Sequence, residues 1–130
     1  DHDDMRGLIR HLKEGDAIWY SPDQDFGLKQ GVMAPFFGVP AATVTAHRRL
    51  LKISKAVAVP LYFYRHGDVQ NPKYHILIEP AVDNMPSEDE VDDATRVNKI
   101  IENQLRIAPT QYMWFHRRFK TRPEGYEEIY

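Results

Sequence analysis

Asp23-Gln-Asp25 places two carboxylates two residues apart, directly after the apolar run Ala17-Ile-Trp-Tyr20, which reads as a strand. In an extended chain side chains alternate, so both carboxylates face one side. Such a pair can hold a divalent cation, orient a base or share a proton. In a turn, the same residues cap backbone N–H groups. A second chemical cluster lies in Gln111-Tyr-Met-Trp-Phe-His-Arg-Arg-Phe-Lys-Thr-Arg-Pro-Glu-Gly125, where four aromatics accompany one histidine and four permanent cations. Three surfaces have that composition: an ordinary amphipathic face, a platform for stacked bases, and a patch meeting phosphates at a membrane. The slightly acidic balance of the whole chain, net charge −2, argues against nucleic acid.

His11-Leu-Lys-Glu-Gly-Asp16 has the His-x4-acid spacing of a general base and its orienting acid. Six histidines and 19 acids among 130 residues produce roughly one such match by chance. Gly15 also reads as a helix C-cap, so the match is taken as accidental. His2-Asp3-Asp4 could ligate a metal but reads as a solvated terminus. His47 reads as a packed or surface histidine.

These groups sit in a chain of globular composition, 42% hydrophobic and 28% charged. The absence of cysteine excludes disulfides and thiolate metal sites. Charge is segregated: Glu79 to Asp93 carries seven acids and no base, while His116 to Arg122 carries four cations and no acid. The longest apolar run, Ala56 to Tyr64, has nine residues and contains Pro60, against the roughly 20 a membrane span needs. The start at Asp1 without an initiator Met is read as that of a fragment, and residues 1–130 as part of a single domain.

Met5, Leu8, Ile9 and Leu12 predict a short amphipathic helix. Residues 21–42, rich in Gly and Pro, read as a long shaped loop. Thr43 to Lys55 reads as a helix, and Ala56–Tyr64 and Tyr74–Ile78 as strands, the first of them buried. Ser87-Glu-Asp-Glu90 reads as a capping box. It precedes a stripe of Val91, Ala94, Val97, Ile101, Leu105 and Ala108 that Pro109 stops. The expected class is α/β, a sheet flanked by helices.

Four stretches carry a resemblance. Pro22-Asp-Gln-Asp-Phe-Gly27, Ala34-Pro-Phe-Phe-Gly-Val-Pro-Ala-Ala-Thr43, Ala108-Pro-Thr-Gln-Tyr-Met-Trp114 and His116-Arg-Arg-Phe-Lys-Thr-Arg-Pro-Glu-Gly125 occur in this order in the late acyltransferases of lipid A biosynthesis. The chain resembles the C-terminal part of such an enzyme from about Met5 to Tyr130. The resemblance implies a glycerolipid-acyltransferase-like fold, incomplete at the N-terminus. It implies transfer of a fatty acyl chain from acyl carrier protein to a hydroxyl of the Kdo-bearing lipid A precursor. The setting would be the cytoplasmic face of the Gram-negative inner membrane, with no metal or cofactor and no nucleic-acid partner.

In that family the histidine base belongs to an upstream His-x4-acid block, which this chain lacks, so the chain alone is expected to be inactive. Asp23 and Asp25 are then expected to be the catalytic carboxylates of this part, orienting the acceptor sugar or positioning basic residues, and Phe36 and Phe37 to wall the acyl chain. Arg117, Arg118, Lys120 and Arg122 are expected to contact phosphates, and Pro60 to be structural. The wider superfamily has Gly-Thr-Arg after the acid at the position of Asp23-Gln-Asp25, and that phosphate grip is missing here. Two other functions fit the residues: a glycosyltransferase holding Mn²⁺ or Mg²⁺ on Asp23 and Asp25, and a peripheral module binding anionic membrane.

Overall fold

The computed structural model of the chain describes residues 4–130. His2 and Asp3 of the terminal acidic cluster lie outside them. Helix α1 spans Met5–Glu14. The Asp4 carboxylate accepts the Gly7 N–H at 2.8 Å to start it, and Gly15, at φ 95°, ends it in the left-handed region. Asp4 is therefore a helix cap.

The segment expected to be a long loop contains a hairpin, β1 (Gly31–Phe36) and β2 (Val39–Val44). Pairing runs from Phe36 opposite Val39 to Gly31 opposite Val44. Pro35 faces Pro40, one pair beyond the turn. At such a non-hydrogen-bonded pair the N–H points out of the ladder, so two prolines cost no ladder bond. The turn, Phe37-Gly38, needs positive φ at both positions, 50° and 78°. Gly38 adopts this freely; Phe37 is held by its N–H bond to Glu102 Oε1, 2.7 Å away. Gly31 is required for another reason, since a Cβ there would lie 1.9 Å from the Thr43 carbonyl oxygen.

Helix α2 is Ala46–Ser54 and starts three residues later than expected, because Thr43 and Val44 belong to β2. Strands β3 (Leu61–His66) and β4 (Lys73–Ile78) form a second antiparallel hairpin. The Ala56–Tyr64 strand is thus corrected twice: it begins at Leu61, and it is not buried. One face of this hairpin shows Leu61, Phe63, Ile76 and Ile78 to solvent at 37%, 62%, 69% and 63% exposure. Ala17–Tyr20 has no strand partner among the described residues.

Helix α3 covers Glu90–Leu105. Its N-cap is Asp89, whose side chain takes the Val91 and Asp92 N–H groups at 2.8 and 3.2 Å. Ser87 is not the cap: its hydroxyl accepts the Asp89 N–H at 3.1 Å, and its own N–H binds Asp93, 3.0 Å from each carboxylate oxygen. The stripe on α3 packs onto β1 and β2, enclosing Phe36, Ala41 and Leu105, with Ile101, Tyr112 and Phe119 at the edge. Val91, in the expected stripe, is 46% exposed. The mixed α/β composition matches expectation; the single flanked sheet is replaced by two separate two-stranded ones. No helix among the described residues is long and apolar enough to cross a membrane.

Candidate functional site

The loop around Asp23 and Asp25, the β1–β2 hairpin and the C-terminal segment, separated in sequence, are joined in space. Asp25 is 2% exposed and accepts three hydrogen bonds. Gly27 N and Thr121 Oγ1 donate to Oδ1 at 2.9 and 2.8 Å, and Thr121 N donates to Oδ2 at 2.8 Å. Asp23 is half-buried; its side chain accepts from Ser21 Oγ at 2.9 Å, and its carbonyl accepts the Tyr112 hydroxyl at 3.0 Å. Burial first, then the proximity of Asp23, pushes the Tyr112 hydroxyl pKa well above that of an ordinary phenol. Tyr112 therefore acts as a neutral donor.

After Leu105 the chain makes two single-turn 3-10 helices, Pro109–Gln111 and Trp114–His116. Arg117 then takes a left-handed conformation, φ 51°. This reversal sends neighbouring arginines in opposite directions. Arg118 goes inward, to 1% exposure, donating to Ala42 O at 2.6 Å, Thr43 Oγ1 at 2.9 Å and Asn98 Oδ1 at 3.0 Å. Its guanidinium lies 5.1 Å from the Phe36 ring centre. Burial lowers its pKa while Tyr112 and Asp25 oppose the shift. Arg122 donates to Pro40 O at 2.9 Å, fastening the segment to the hairpin. Arg117 and Lys120 remain exposed, beside exposed Trp114 and Phe115.

The expected site residues therefore separate. Phe36 is fully buried in the core and cannot line an open chain path, whereas Phe37 is 41% exposed at the turn. Arg118, with its three internal acceptors, is not placed to meet a phosphate, and Arg122 is partly used. Arg117 and Lys120 keep their charge at the surface. A cavity of about 200 Å³ opens beside Asp23 and Tyr112, walled by Pro22, Tyr62, Tyr64 and Gln104.

Sequence reasoning missed Thr43, Asn98, Glu102 and Thr121. Asn98 bridges Pro35 O and Thr43 Oγ1 at 3.0 and 2.9 Å. One signal was legible: Asn98 and Glu102 lie on α3 at helical spacing beside the stripe. Buried polar groups there need partners on the facing hairpin. Burial alone pushes the Glu102 and Asp93 carboxyls up; the Phe37 N–H and Lys99 for Glu102, and Ser87 and Arg48 for Asp93, hold them below the usual range.

His11 and Asp16 do pair, Nδ1 to Oδ2 at 2.9 Å, with Glu14 at 3.9 Å. Among the described residues these three form a converging group of potential metal ligands, and all are exposed at the end of α1. Exposed pairs of this kind contribute about 0–1 kcal/mol. His47 is 7% exposed, and neither ring nitrogen has a hydrogen-bond partner among the described residues. Burial lowers its pKa, opposed by Asp93 and reinforced by Arg48.

A base depressed in this way stabilises the fold fully above its unfolded pKa of about 6.5. That stability is lost as pH falls below it. The melting temperature is expected to drop between about pH 7 and pH 5, and less steeply in His47→Leu. Equal slopes for the two proteins would remove His47 as the cause.

Fold and site define a mixed α/β unit in which a carboxylate loop and a hairpin are clasped by a basic-aromatic segment. The family description "Bacterial lipid A biosynthesis acyltransferase" matches residues 1–121, and the chain belongs to that family. It is 40% identical to the lipid A biosynthesis lauroyltransferase of Escherichia coli K12, over 100% of this chain and 42% of that protein. It is 41% identical to the palmitoleoyltransferase of the same organism, over 97% and 40%. The corresponding myristoyltransferase is 31% identical, over 95% and 38%. The chain thus spans about two-fifths of the length of these curated relatives.

Proposed function

We propose that this chain forms the acceptor-side part of an enzyme that moves a fatty acyl group from acyl carrier protein to a hydroxyl of the Kdo-bearing lipid A precursor. The site of action is the cytoplasmic face of the inner membrane. The observation that carries this reading is the clasp itself: Asp25 with Thr121, 96 residues away, and Arg122 with Pro40, 82 residues away. It brings together stretches that resemble those of lipid A acyltransferases. In the proposed reaction a histidine outside these 130 residues takes the acceptor hydroxyl proton. The oxygen attacks the thioester carbonyl, and the carrier's thiolate leaves and is protonated.

Asp23 borders the cavity and orients the acceptor, while Arg117 and Lys120 meet its phosphates. The exposed apolar face of β3 and β4 packs against the remainder of the enzyme, since a two-stranded ribbon is marginal alone. The metal-dependent glycosyltransferase reading is weaker, because both Asp25 oxygens are already taken by N–H and O–H donors.

Asp25→Ala and Asp23→Ala are expected to differ, because Asp25→Ala is the one that removes buried bonds. Loss of three buried acceptor bonds is expected to destabilise the fold by about 2–3 kcal/mol as well as lower turnover. Asp23→Ala, losing one partly exposed bond, should leave the melting temperature nearly unchanged and reduce acyl transfer in the whole enzyme at least about tenfold. Normal transfer by Asp23→Ala would remove that residue from the acceptor site.

A further inference from the structure

A groove of about 740 Å³ runs along α2, on a face the clasp does not use. Leu28, Lys29 and Gln30 line one part of it and Arg49, Lys52 and Ile53 of α2 another; one acid, Glu90, also lines it. From Phe26 to Gly67 the sequence has no acid and six permanent cations, so three unpaired cations, Lys29, Arg49 and Lys52, outweigh Glu90 in the groove. Arg48, at its floor, is committed to Asp93 at 2.7 Å and approaches Glu90 at 4.0 Å. Lys29, Arg49 and Lys52 are exposed and make no ion pair among the described residues. Between these cations Leu28 and Ile53 stand 54% and 42% exposed.

Cations and apolar side chains in both parts suit an elongated ligand with acids on its flanks and an apolar stripe between them. A lone phosphate would leave Leu28 and Ile53, exposed between these cations, without an apolar partner. An α-helix, 10–12 Å across with side chains, fits an open groove of this kind. We propose that the groove docks an acidic amphipathic helix of a protein partner. This rests on the proposed function, in which that partner is the acyl carrier protein delivering the thioester. Charge complementarity of this type sets encounter rate and orientation, and it weakens with salt.

The test is binding of non-acylated acyl carrier protein to the whole enzyme, at about 50 mM and about 200 mM salt. The wild-type enzyme should bind, more weakly at the higher salt. Arg49→Glu with Lys52→Glu should weaken binding about tenfold or more, whereas Arg117→Glu with Lys120→Glu should change it less than about twofold. Both pairs are exposed, and matched melting temperatures would confirm intact folds; Arg49→Ala with Lys52→Ala serves if charge reversal unfolds the chain. Absence of wild-type binding, or equal binding by the α2 variant, would overturn the proposal. So would vesicles of phosphatidylglycerol losing affinity for the α2 variant while the carrier protein does not. Because the probe has no acyl group to transfer, these outcomes are independent of the acyl-transfer reading. Intact binding with no transfer in the whole enzyme would sink that reading alone.

Discussion

Arg118→Ala is expected to destabilise the chain by about 3 kcal/mol or more. Two effects compete. Removing a buried guanidinium without a paired carboxylate relieves its desolvation, which favours the variant. Against this, Ala42 O loses its charged donor at 2.6 Å and Asn98 Oδ1 loses its donor at 3.0 Å, while Thr43 Oγ1 keeps Asn98. Buried groups left unsatisfied cost about 1–3 kcal/mol each, and a cavity opens beside Phe36. The losses exceed the relief. Arg118→Met, which keeps volume without charge, should recover about half of the deficit. Urea unfolding would show the midpoint falling at constant slope for Arg118→Ala. An unchanged midpoint would mean that the inward arginine does not hold the segment to the hairpin.

Phe36→Ala should cost about 3–5 kcal/mol, because this ring is fully buried between the hairpin, α3 and Phe119. Phe37→Ala, one residue on and exposed at the turn, should cost under about 1 kcal/mol, chiefly from the lost stacking of Arg106. The contrast is the informative quantity. If both residues walled an acyl chain, the two variants would resemble each other in stability and share a loss of transfer. On this structure only Phe37 can touch a ligand, so loss of transfer at preserved stability is confined to it. Similar destabilisation by the two substitutions would contradict the assignment.

Legibility in the sequence followed the strength of the local signal. Helix α1 was readable because its apolar spacing and Gly15 cap agree, and α3 because its stripe runs for four turns. The β1–β2 hairpin was hidden because Pro35, Gly38 and Pro40 look like loop residues unless their register is known. Only the pairing shows that both prolines occupy positions where no N–H is needed. The exposure of β3 and β4 was unreadable in their apolar composition, which is that of a buried strand. At the site, residue types announced chemistry but not direction. Arg117 and Arg118 are indistinguishable as letters, and a single left-handed residue separates a surface cation from a buried one. Asp23 and Asp25 diverge similarly, one toward a cavity and one into a three-donor clasp.

On the proposed function, the C-terminal segment presents Arg117 and Lys120 to the phosphates of a lipid A precursor. The most direct test is steady-state acyl transfer by the whole enzyme carrying Arg117→Ala and Lys120→Ala together. Both residues are exposed, so the melting temperature should hold within the few degrees that surface substitutions produce. The acceptor KM should rise about tenfold or more while the KM for the acyl donor stays unchanged. Unaltered acceptor KM in a stable double variant would contradict the account.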